Sequence, residues 1–115
     1  MARRITTAFY EVTPTEGLTL QISGPDDPYV ALDDTSLSVK EGKPFRITPE
    51  ILNGAGGHHF LTIVLLFPSE EASASGYVVT VSDDGGAQLE TISKSTPDRD
   101  HHASIDAMIR VASTR

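Results

Sequence analysis

Alternation is the most regular feature of the chain. Leu18-Thr19-Leu20-Gln21-Ile22-Ser23 places every second side chain on an apolar face, the period of a half-buried β-strand. Tyr77-Val78-Val79-Thr80-Val81-Ser82 is β-branched and aromatic. It stops at Asp83-Asp84-Gly85-Gly86, a turn sequence suited to a hairpin, so residues 87–92 are expected to return beside it. Shorter strands are expected at 5–12, 29–32, 37–40 and 45–47, separated by Gly17, Gly24-Pro25, Pro28 and Gly42 to Pro44. The stretch 59–67 breaks the alternation. Phe60, Leu61, Ile63, Val64, Leu65, Leu66 and Phe67 leave neither face polar, which predicts a central strand covered on both sides.

Helical signals are short. Thr48-Pro49-Glu50-Ile51-Leu52-Asn53-Gly54 offers a capping Thr, a Pro at the first helical position and an Asn-Gly stop, enough for one turn. Ser69-Glu70-Glu71-Ala72 predicts a second single turn after Pro68, and Ser73 to Gly76 reads as a loop tip. Ile105, Ala107, Ile109 and Val111 alternate, while Ile105, Met108, Ile109 and Ala112 fit a helical stripe. Three of the alternating four are β-branched, so residues 103–112 are expected as a strand. The sum is an all-β fold: one domain over residues 1–115, a small antiparallel β-sandwich of seven to nine short strands with one or two single helical turns. The pattern resembles immunoglobulin-like or jelly-roll-like sandwiches in general outline. The Cys…Trp…Cys hallmark of immunoglobulin domains is missing, and so is the paired-histidine spacing of a cupin metal site.

A chain of 115 residues is the common size of one domain and is long enough to bury a core. It has no cysteine, which removes disulfides, thiolate metal sites and cysteine nucleophiles together. Arg3-Arg4 is not followed by an apolar core segment and the longest apolar run is far short of a bilayer span, so a cytoplasmic location is the default expectation. Net charge is −7, and no Lys or Arg interrupts the stretches from Glu11 to Asp34 or from Glu50 to Glu90. A nucleic-acid or anionic-membrane partner needs a continuous basic face, so neither is expected. The cluster Lys40, Lys43 and Arg46 fits the protection of a sheet edge.

Candidate chemistry is sparse. His58-His59 and His101-His102 open two of the expected strands. If they met, with Asp100 or Asp98 alongside, they would suit zinc or another transition metal in a small metal-dependent enzyme. The acidic pairs Asp26-Asp27, Asp33-Asp34 and Asp83-Asp84 fall at turns and are candidate calcium ligands, although Asp is also an ordinary turn residue. Gly54-Ala55-Gly56-Gly57 precedes a strand rather than a helix, the wrong order for a phosphate loop. No nucleophile elbow is present. Tyr10, Tyr29 and Tyr77 are candidate ligand-binding aromatics, for a carbohydrate among other ligands. The expectation is a non-catalytic binding or assembly module with a protein or carbohydrate partner, self-associating as a homo-oligomer and requiring no cofactor.

Overall fold

A computed structural model describes residues 2–52, 57–66, 76–94 and 102–112. Among these the fold is all-β, with ten strands and no helix. They are β1 (Arg3–Thr6), β2 (Phe9–Val12), β3 (Leu18–Ser23), β4 (Tyr29–Leu32), β5 (Thr35–Leu37), β6 (Phe45–Ile47), β7 (Gly57–Leu66), β8 (Tyr77–Ser82), β9 (Gln88–Lys94) and β10 (His102–Val111). A six-stranded sheet runs β1-β2-β10-β7-β4-β5 and a four-stranded sheet runs β6-β3-β8-β9. The arrangement is sandwich-like: alternate residues of both sheets meet in one core. Val30, Leu61, Ile63, Leu65, Ile105 and Ile109 come from the larger sheet, and Leu18, Leu20, Ile22, Ile47, Val79 and Val81 from the smaller. Leu52 seals the core from a single turn, its N–H bonded to the Thr48 carbonyl while the Thr48 hydroxyl caps Ile51 N–H. This turn stands where the first of the two helical turns is expected, and it is a hydrogen-bonded turn rather than a helix. The second, at Ser69 to Ala72, lies outside the described residues.

The structure corrects the expected strand pattern in three places. Residues 5–12 are two strands, not one, because Thr7-Ala8 reverses the chain with Ala8 at φ 55. This division takes the count past nine. The sheets are not wholly antiparallel: β2 runs parallel to β10, pairing Phe9–Val12 with Met108–Val111. β5 spans Thr35–Leu37 rather than 37–40, since Asp33 and Asp34 form a two-residue hairpin turn with φ 48 and 70. Positive φ at both central positions is the turn geometry whose twist matches a hairpin.

β7 is central, between β10 and β4, as the apolar run implied. It is not covered on both sides. Leu61, Ile63 and Leu65 point into the core, but Phe60 and Leu66 on the outer face are 59% and 45% exposed. The reason is architectural: the second sheet packs on one face of the first, and no element among the described residues packs on the other.

Candidate functional site

Three arrangements in the fold gather chemically distinctive side chains. The first is a latch between the sheets. β9 turns Glu90 inward opposite Val81, where its carboxylate is buried. Oε1 accepts hydrogen bonds from the Tyr10 hydroxyl at 2.6 Å and the Ala8 N–H at 2.9 Å, and Oε2 accepts from Arg4 at 3.2 Å. A buried carboxylate is tolerated when its lone pairs are this fully engaged. Burial, and then the neighbouring Glu90, push the Tyr10 phenol well above its ordinary value. The latch satisfies the strained β1–β2 turn and closes one side of the sandwich. Its role is structural.

The second is a cleft at the end of the sandwich where β7 starts. The register that places Leu61 and Ile63 inward also turns His59 toward the space between the sheets. His59 Nδ1 lies 2.5 Å from Asp33 Oδ2, and Asp33 Oδ1 accepts the Phe60 N–H at 2.8 Å. Desolvation opposes the Asp33 charge, yet the Phe60 N–H and the His59 ring together hold its carboxyl below the usual range. The pair borders a cleft of about 330 Å³ lined by Leu32, Thr35, Leu37 and Ile51. The carboxylate fixes the ring's orientation and tautomer, which leaves Nε2 as the chemically available nitrogen. Among the described residues no group of three His, Asp or Glu comes together as a metal set.

The third is the outer face and one edge of the six-stranded sheet. Down β7 run Phe60, Thr62, Val64 and Leu66, with Tyr29 beside Val64, Met108 beside Phe60, and Phe9 beyond Met108. A shallow depression of about 350 Å³ lies between Phe60 and the β1–β2 turn. The charges on this face largely cancel. Glu11 bridges Arg3 at 2.9 Å and Arg110 at 2.6 Å, Arg110 also lies over the Phe9 ring, and Asp106 is the further acid. Because β2 begins only at Phe9, it pairs β10 from Met108 onward. Among the described residues, the first part of β10 is bonded to β7 alone.

No family model, curated protein or solved structure matches this chain. Function must therefore be argued from the geometry.

The residues singled out from the sequence fall in separate places. β7 and β10 do pair, but their antiparallel register sets His58 opposite Arg110 and His102 opposite Leu66. Eight rungs separate the two histidines, about 27 Å at the usual strand rise. His58 and His102 do not meet. His101 and Asp100 lie outside the described residues. Asp26 and Asp27 sit at the opposite end of β4 from Asp33 and Asp34. Asp27 accepts the Glu41 N–H and Asp26 accepts the Asp27 N–H. Asp83 accepts the Ala87 N–H, and Asp84 binds Arg46 through both oxygens and accepts the Gly17 N–H. These are turn-closing and ion-pairing roles. Arg46 stands on β6, an edge of the smaller sheet, where its charge opposes edge-to-edge pairing. Tyr10 and Tyr77 are core residues, each 1% exposed, while Tyr29 is 50% exposed on the outer face. The sequence reading missed Glu90 and the Asp33–His59 link. Both members of that link had been noted, but nothing local in the sequence ties residues 26 positions apart.

Proposed function

We propose that this protein is a non-catalytic assembly module that associates with copies of itself through the six-stranded sheet. One observation carries the reading: Phe60, Tyr29 and Leu66 are 59%, 50% and 45% exposed on the outer face of that sheet, around its central strand. Large apolar side chains left exposed along one sheet face, with the half-buried Val64, Met108 and Phe9 among them, mark a candidate contact surface. Charge favours a second copy as the occupant. In a chain of net charge −7, self-association is opposed wherever acids cluster. The acidic pairs stand at strand ends, whereas on the outer face Arg3 and Arg110 balance Glu11 and Asp106. No helix among the described residues is long and apolar enough to cross a membrane, so a membrane-spanning helix does not explain the apolar residues.

The test is molar mass by light scattering on the eluting full-length chain, over a wide range of loading concentrations. A mass above the 12.3 kDa of one chain that rises with concentration supports the proposal. A mass of one chain throughout overturns it.

A further inference from the structure

The open part of β10 has a geometry that suits one partner in particular. Met108 donates its N–H to the Ala8 carbonyl and Ala112 donates to the Val12 carbonyl, both on the β2 side. Strand backbone groups alternate in direction, so every even-numbered residue of β10 presents its N–H and C=O to that side, and every odd-numbered one bonds β7. Beyond the end of β2, the N–H and C=O groups of Ser104 and Asp106 therefore face outward, with no partner among the described residues. Both residues are exposed. A short stretch of unpaired backbone in the middle of a sheet edge is a template for strand addition.

We propose that a second copy of this chain docks here, β10 against β10, antiparallel about a two-fold axis through Ser104. This rests on the self-association reading above and specifies its contact. A two-fold demands that the edge be complementary to itself. Centring on Ser104 makes Ser104 face its own counterpart as a pair that exchanges two backbone hydrogen bonds. It then sets His102 opposite Asp106 of the second copy, and Asp106 opposite that copy's His102. Imidazole and carboxylate meet twice on the outer face, which is a favourable cross-strand pairing. On the inner side Ala103, half-buried, meets Ile105 of the second copy, a small residue against a branched one that continues the core. Moving the centre by one residue, to Ile105, would set His102 opposite Met108, whose N–H is already bonded to the Ala8 carbonyl. Moving it by two, to Asp106, would set the two Asp106 carboxylates against each other. The register centred on Ser104 avoids both costs. It also joins two six-stranded sheets into one, so that the apolar columns of both β7 strands lie on a single continuous face.

The experiment uses the full-length chain and reads the dimer dissociation constant together with amide exchange. Ser104→Pro removes an outward N–H and leaves the β7 ladder intact, the setting in which a strand tolerates proline. Its circular dichroism should match the parent while the dimer is lost. Asp106→Lys alone should weaken the dimer by about tenfold, because each substitution acts twice across the axis. Combining it with His102→Asp reverses both pairs and should restore most of the affinity. In the parent the Ser104 and Asp106 amides should be protected at dimer-forming concentrations and exchange freely on dilution. A chain that is monomeric at every concentration overturns the functional reading and this inference with it. A dimer that survives Ser104→Pro and ignores the charge reversal, yet is lost in Phe60→Glu, overturns the edge contact while the functional reading stands.

Discussion

Removing the Glu90 carboxylate should be the most damaging single polar change in the described part of the chain. In Glu90→Ala the Arg4 guanidinium, about half exposed, returns to water at little cost. The Tyr10 hydroxyl and the Ala8 N–H cannot do so, because they lie where the sheets close over Glu90. Each orphaned buried donor costs about 1–3 kcal/mol, so the variant should lose about 3–5 kcal/mol. That is a third or more of the stability of an ordinary domain. Glu90→Gln keeps an acceptor and the side-chain volume but gives up the charge that strengthens all three bonds, and should lose about 1–2 kcal/mol. Tyr10→Phe removes one donor and leaves Glu90 with two, for about 1 kcal/mol. The double variant Glu90→Ala/Tyr10→Phe has no hydroxyl to orphan, so its loss should fall short of the sum by about 1–2 kcal/mol. Urea unfolding followed by circular dichroism gives all four values. A Glu90→Ala loss under about 1 kcal/mol, or strict additivity in the double variant, would refute the orphaned-donor argument. The same latch sets an alkaline limit. Since the folded phenol titrates above its unfolded value, stability is intact below pH of about 10 and is lost as pH rises beyond it, in the parent but much less in Tyr10→Phe.

Asp34 occupies the second left-handed position of the β4–β5 turn at φ 70, where glycine is favoured. Asp34→Gly should raise stability by about 0.5 kcal/mol, read as a shift in urea midpoint with unchanged slope; a loss would show that the Asp34 side chain matters to the turn. Gly24 packs its backbone on the Tyr77 ring, and a Cβ there would overlap Cδ1 and Cε1 of a side chain whose hydroxyl is fixed against the Asp26 and Leu66 carbonyls. Gly24→Ala should cost about 2 kcal/mol or more, and a thermal midpoint equal to the parent's would contradict the packing. On the acid side, Arg46 holds the Asp84 carboxyl below its ordinary value, and Arg110 and Arg3 do the same for Glu11. Carboxyls with depressed folded values stabilise the protein above their unfolded values and lose that contribution as pH falls through the folded ones. The urea midpoint should therefore drop from about pH 5 downward, and Asp84→Asn should flatten the slope. An unchanged slope would mean that the Arg46 pair contributes nothing in solution.

Most strands were legible because each carries its own periodicity. β3 alternates without a fault and β8 is β-branched and aromatic, and the structure keeps Leu18, Leu20, Ile22, Tyr77, Val79 and Val81 buried. The division of residues 5–12 was not legible, because Thr7-Ala8 contains neither Gly nor Pro. The turn is enforced from elsewhere, by Glu90 taking the Ala8 N–H from 82 positions away. Local pattern cannot report a constraint of that kind. The His–Asp contact of the cleft was hidden for the same reason, and the separation of His58 from His102 follows from an antiparallel register that only the paired strands reveal.

β7 is the informative failure. A run apolar on both faces was read as covered on both faces, and that inference assumes that every burying surface belongs to the same chain. Its inner residues obey the assumption and its outer ones do not. Sequence periodicity records which side chains are apolar, not which molecule shields them. A strand whose outer residues stay apolar without cover from its own fold has either no cost attached to that exposure or a partner that removes it. The first alternative fits Phe60 poorly, since covering the 59% of it that is exposed would gain about 1–2 kcal/mol. The outer face is therefore best understood together with the half-open edge of β10. Pairing at the edge brings two such faces side by side, and the joined surface is broad enough for a further layer to cover. Phe60→Ser should then leave the β10-paired dimer intact while reducing any assembly beyond two copies. If that variant abolished the dimer itself, the face rather than the edge would be the primary contact.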